Sequence, residues 1–210
     1  MSLEVVRSGP GAAAEPAAAT PPDAVFFYDL ASPDCYLVAE RIRAELPVVC
    51  AWEPVHADAL GLPDGAGRHG PDPDPAALAA AAAALELLPL RMPAVWPPDS
   101  ALAMRVATYA KGAGKSIAFS LAAFRQAFAG GRDLGEEATV IIAAAACEIH
   151  PTAALKGASL RSTAAGLAEA GERALAAGVT ALPAFALPGG LTVCGPRALD
   201  EAIAALSPAG

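Results

Sequence analysis

Ser32, Pro33, Asp34 and Cys35 follow one another in the chain, gathering a hydroxyl, a carboxylate and a thiol within one turn. Serine, then proline, then an acid reads as a helix start. The serine side chain caps the first N–H groups, proline suits the first helical position, and the acid complements the positive end of the helix dipole. That same end favours any anion brought to it, so a thiolate there has a lowered pKa. Ser32 cannot be the thiolate. Its hydroxyl can cap the helix, donate a hydrogen bond to an anion brought to the helix end, or do both. Cys35 is either a packed thiol on the helix's apolar face, where burial raises its pKa, or a lone nucleophile working through a mixed disulfide.

Other candidate groups are sparse. Cys35, Cys50, Cys147 and Cys194 are scattered, and no CxxC pair occurs, which removes both a zinc knuckle and a dithiol redox motif. No disulfide is expected among them. His56, His69 and His150 lack metal-ligand spacing. His56 follows a strand and is read as solvated or satisfied rather than as a site residue. The run Lys111–Ser116 (KGAGKS) has Tyr109 where a phosphate loop needs glycine, and it follows a helix. It is read as a helix end. Trp96 and Met92 belong to the core or to a pocket wall.

The elements that hold Ser32 can be read outward from it. Ala24–Leu30 is an apolar, aromatic run that predicts a buried strand. The next helix places Cys35, Val38, Ala39, Ile42 and Leu46 on one face and ends at Pro47. Val48–Trp52 predicts a second strand, parallel to the first across a right-handed crossover. Gly61–Pro75 is loop by composition. Helices are expected at Ala76–Leu88, Ser100–Ala113, Ile117–Ala129, Glu136–Ile149 and Arg161–Ala177, with breaks at Gly130-Gly131 and Pro151. Ala184–Leu187 and Leu191–Cys194 flank Pro188-Gly189-Gly190 as a hairpin. Gly195-Pro196 starts a last helix, with Leu199, Ile203 and Leu206 on one face. The order β-α-β, a helical block, then α-β-β-α resembles the thioredoxin order with helices inserted between its halves. The expected class is α/β. Residues 1–22 are expected to form a disordered tail and 23–207 a single domain, with an all-helical insertion at about 74–160.

Composition narrows the function. Hydrophobic residues make up 55% but aromatics only 5%; alanine fills the difference and favours helix. A net charge of −8 without a basic stripe argues against a nucleic-acid partner. The apolar run Ala76–Leu85 is too short to span a bilayer, and Pro10, Glu15 and Pro16 interrupt the N-terminal stretch where a signal peptide would be unbroken. A cytoplasmic protein acting on a small-molecule substrate is expected, with a homodimer allowed.

FFYDLASPDCYL (Phe26–Leu37) resembles the opening of DsbA-like proteins, above all the 2-hydroxychromene-2-carboxylate isomerases and kappa-class glutathione transferases. GVTALPAF (Gly178–Phe185) is similar to their segment bearing a cis-proline. Pro97-Pro98-Asp99-Ser100 and AFAGGRDLGE (Ala127–Glu136) resemble their helical insertion. The resemblance covers roughly Ala24 to Leu206. It implies that Ser32 occupies the place of the redox-active members' nucleophilic cysteine and holds the sulfur of glutathione, or of another low-molecular-weight thiol, in ionised form. It implies that Cys35 matches the second redox cysteine and that Leu182-Pro183 is cis. Leu182 would then pair its backbone with the thiol ligand. Pro33, Gly195 and Arg197 complete the implied thiol-binding set.

The chain also departs from that pattern. Gly195-Pro196-Arg197 stands where kappa relatives usually have glycine then Ser-Asp gripping the γ-glutamyl end, and their asparagine and lysine after the second strand have no match. Arg68, His69 or Arg197 are the available substitutes. Three readings follow: a thiol-dependent isomerase or transferase, a thiol–disulfide oxidoreductase using Cys35 alone, or a binding protein that has kept only the fold.

Overall fold

The computed structural model describes residues 23–61 and 73–207. Its sheet has four strands, β1 (Ala24–Tyr28), β2 (Cys50–Pro54), β3 (Ala184–Ala186) and β4 (Thr192–Cys194), in the order β2-β1-β3-β4. β1 and β2 are parallel and joined through helix α1 (Pro33–Glu45), the kind of connection a parallel pair requires. β3 runs antiparallel to β1, and β4 antiparallel to β3. This is the thioredoxin-like, DsbA-type arrangement, α/β in class. The alternation of side chains along a strand puts Phe26 and Tyr28 on one face. Phe26 is in register with Trp52 and Phe185, so the three rings meet there at centroid distances of 5.0 and 5.1 Å from Phe26.

Between β2 and β3 lie a 3-10 turn (Ala57–Leu60) and helices α2 (Pro75–Ala84), α3 (Ala101–Gly112), α4 (Ser116–Phe124), α5 (Glu137–Ala146), α6 (Pro151–Ser159) and α7 (Arg161–Ala176); α8 (Ala198–Leu206) closes the fold. Buried phenylalanines from the α4 region meet the sheet and α1: Phe124 packs on Tyr28 and Tyr36, and Phe128 stacks on Tyr36 at 5.7 Å. On the other face, Glu53 ties β2 to the insertion and to α7 by accepting from Lys111 of α3 and Arg173 of α7, at 2.5 and 3.1 Å. Among the described residues no single helix is long and apolar enough to cross a membrane.

Several expected boundaries move, each for a local reason. β2 spans Cys50–Pro54 because Ala24 pairs with Cys50 and its N–H already bonds Val49 O at 3.1 Å. α2 stops at Ala84; Glu86 takes a left-handed φ of 54° that a helix cannot continue through. The expected helix over Ile117–Ala129 becomes α4 followed by a π turn, Arg125–Ala129, with Gly130 N–H bonding Arg125 O at 2.8 Å. Glycine is required at 130, where a Cβ would lie 2.7 Å from Gln126 O. Pro151 does not merely break a helix. It is the first residue of α6, whose opening is capped by His150 Nδ1 accepting from Thr152 N–H at 3.2 Å. α8 starts at Ala198, later than Gly195-Pro196, since Gly195 has a φ of +94°. The expected tail over residues 1–22 and most of the Gly61–Pro75 loop lie outside the described residues.

Candidate active site

The chain leaves β1 at Asp29, and this buried carboxyl shapes the next turn. Its Oδ1 accepts from Ala31 N–H at 2.9 Å and from the Ser100 hydroxyl at 2.8 Å; Oδ2 accepts from Ala57 N–H at 2.9 Å. Its carbonyl accepts from Ser32 N–H at 3.1 Å. An acid bonding the N–H two residues on is an Asx turn, and here it also clamps the N-terminus of α3 and the end of β2. Neither Asp29 nor Ser100 stands out in the sequence as a builder of the site.

Ser32 is the N-cap of α1 as expected. Its Oγ accepts from Cys35 N–H at 3.2 Å, with Pro33 and Asp34 filling the first turn. Ser32 is 1% exposed; the cap uses a lone pair of its hydroxyl, and the hydrogen is within reach of the Cys35 thiol, which it hydrogen-bonds. Burial raises the Asp34 carboxyl above the ordinary carboxylate range. Cys35 is completely buried. Burial pushes its thiol far up, and a hydrogen bond with Ser32 only partly offsets this.

The second half of the site comes from the other end of the chain. Leu182-Pro183 is a cis peptide. Ala184 pairs with Phe27, which sets Pro183 beside the C-terminal end of β1, where the chain enters the Asp29–Ser32 turn. Pro183 O accepts from Gly195 N–H at 2.8 Å, so Gly195 braces the proline and does not offer that N–H to a ligand. Among the described residues, the Leu182 backbone N–H and C=O form no hydrogen bond. The family model for the DSBA-like thioredoxin domain matches residues 24–206, the span that runs from β1 to α8.

The chain belongs to the DsbA-like thioredoxin family.

Solved structures agree on the fold. A 2-hydroxychromene-2-carboxylate isomerase superposes with a TM-score of 0.71 at 15% identity, over 87% of this chain and 93% of that one. A probable DsbA oxidoreductase from Streptomyces coelicolor gives 0.67 at 20% identity, over 88% of each chain. A thioredoxin-like oxidoreductase from Silicibacter pomeroyi gives 0.55 at 16%, over 90% and 88%. No curated protein matches the chain in sequence.

Within this DsbA-like frame the implied site residues divide. Ser32, Pro33 and Cys35 share one turn; Leu182 and Pro183 precede β3 at the C-terminal end of β1, and Gly195, just after β4, bonds Pro183. Arg197 is different: its side chain is 84% exposed and lies 3.9 Å from Glu201 along α8. His56, at the end of β2, pairs with Asp58 at 3.8 Å. Arg68 and His69 lie outside the described residues. All four cysteines are unbridged.

Proposed function

We propose that this DsbA-like protein is an enzyme that uses a bound low-molecular-weight thiol on a small electrophilic substrate, with isomerase or transferase outcome. The observation that carries the reading is the Ser32 turn. A capping hydroxyl stands at the N-terminus of α1, on the side of the sheet end where the cis Leu182-Pro183 peptide lies; Ser32 and Cys35 are both buried, and the Cys35 thiol, which Ser32 hydrogen-bonds, is pushed far up. Dithiol exchange needs two sulfurs at this turn, and position 32 supplies none. Exchange through Cys35 alone needs an accessible thiolate, which burial opposes.

A thiol ligand fits part of the site. Ser32 Oγ–H and the α1 N-terminus suit a thiolate, and the unbonded Leu182 backbone suits one peptide unit of a ligand, paired as a strand edge would pair it. For the γ-glutamyl end of glutathione, Gly195-Pro196-Arg197 offers neither a carboxylate nor a free glycine N–H. The ligand class is therefore a small thiol, glutathione being one member. When bound, such a thiol would supply a nucleophilic sulfur that adds to a conjugated carbon; in an isomerase outcome that C–S bond breaks again and the thiolate leaves, in a transferase outcome the carbon takes up a proton and the thioether is released. Ser32 donates to that sulfur, Asp29 and Ser100 hold the turn that aims the hydroxyl, and Pro183 with Gly195 fixes Leu182 for pairing.

A thermal-shift series with glutathione, cysteine and N-acetylcysteine tests the binding step, since a ligand of the native state raises the melting temperature by mass action. A rise with at least one of them, absent for its S-methyl analogue, is expected. No rise with any would leave a fold without thiol chemistry.

A further inference from the structure

The end of α1 remote from Ser32 borders a cavity. The last turns of α1, the start of β2 and one side of α4 enclose a groove of about 390 Å³, a size typical of small-molecule sites. Its walls include Ile42, Leu46, Val48, Trp52, Ile117 and Leu121. β2 is an edge strand, and the groove is open: Val49 on its rim is 70% exposed and Ile117 44%.

Charge distinguishes this groove from a bare apolar cleft. Arg125 is committed, its Nε and Nη2 each donating to Glu40 at 2.7 Å, which also neutralises Glu40. Arg43 lines the same groove and has no hydrogen-bond or ion-pair partner among the described residues. Cys50 adds no negative charge, because burial pushes its thiol up to about 12. The net result is one unpaired guanidinium above an apolar trough, in a chain of net charge −8. Guanidinium and carboxylate are matched in geometry as well as in charge.

We propose that this groove binds a small apolar carboxylate of the medium-chain fatty acid class, its carboxylate on Arg43 and its chain along the walls toward Trp52. The site is separate from the Ser32 turn, so thiol binding should be indifferent to it.

Calorimetric titration of the full chain with hexanoate, octanoate, decanoate and decanol tests the proposal. Affinity should rise about threefold per methylene across the acids. Arg43→Gln should weaken decanoate about fivefold and leave decanol unchanged. Ile117→Glu, at an exposed position, should abolish decanoate binding while the circular dichroism stays that of wild type. In a Trp96→Phe background, decanoate should alter the emission of Trp52. Failure of decanoate to bind, or binding indifferent to both variants, would overturn the proposal. So would a concentration-dependent dimer that Val49→Lys dissociates, if decanoate does not compete with it; the groove would then belong to a second copy of the chain.

Discussion

Asp29 and Ser100 are 71 positions apart in the chain and joined by a hydrogen bond of 2.8 Å, both side chains buried. One carboxyl thus couples the first residue of the candidate turn to the first turn of α3. Ser100→Ala removes this donor and leaves a buried carboxyl oxygen with one partner fewer. The expected loss is about 1–2 kcal/mol, read as a lower urea midpoint at unchanged slope. A midpoint equal to wild type would show that the contact contributes nothing to holding the turn.

The Ser32 half of the site was legible because its signals are local: a serine, a proline and an acid in sequence state their own cap. Pro183 was legible through its flanking run and its place before the hairpin. Asp29 was not, because its meaning lies in Ser100 and Ala57, which only the folded chain brings to it. Pro151 was misread for a related reason. A proline marks the edge of a helix without saying on which side the helix lies, and His150 capping Thr152 decides it. The π turn at Arg125–Ala129 needs glycine at 130, where a Cβ would meet Gln126 O; alanine periodicity alone carries no such information. Arg197 was a candidate by position, yet its side chain runs along α8 toward Glu201.

Gly157 sets how closely α6 approaches α3. A Cβ added there would collide with the Tyr109 ring. Gly157→Ala should therefore destabilise the protein by about 1–3 kcal/mol through overpacking, despite alanine's better helix propensity. Tyr109→Leu in the same chain should recover part of the loss, and thermal denaturation of the four members of that cycle measures it. An additive cycle would mean the two positions do not meet.

Buried thiols make stability sensitive to alkali. Cys50 is pushed up to about 12 and Cys35 further, against 9.0 for an ordinary thiol. The folded chain keeps protons that the unfolded chain loses. The thiol contribution is therefore complete below about pH 9 and declines as pH rises from there toward about 12, by at most about 1.4 kcal/mol per thiol per pH unit. Urea midpoints taken at about pH 8 and pH 10 should fall in wild type and fall less in Cys50→Ala. Equal falls would place the Cys50 thiol in water.

Ser32 caps α1 and, in the proposed chemistry, also donates to a bound thiolate; two substitutions separate those roles. Ser32→Ala should lose about 1 kcal/mol of stability together with thiolate stabilisation. Ser32→Asp keeps a capping oxygen but sets a negative charge beside the sulfur, which raises the thiol pKa, and buries that charge at a further cost in stability. The most direct measurement is ultraviolet difference titration of the thiolate, with glutathione, cysteine or N-acetylcysteine bound to wild type, Ser32→Ala and Ser32→Asp. A bound thiol should ionise below its free pKa in wild type, and both variants should abolish this shift. A thiol that binds with its free pKa, or with the same lowered pKa in all three proteins, would contradict the proposed role and leave Ser32 as a helix cap alone.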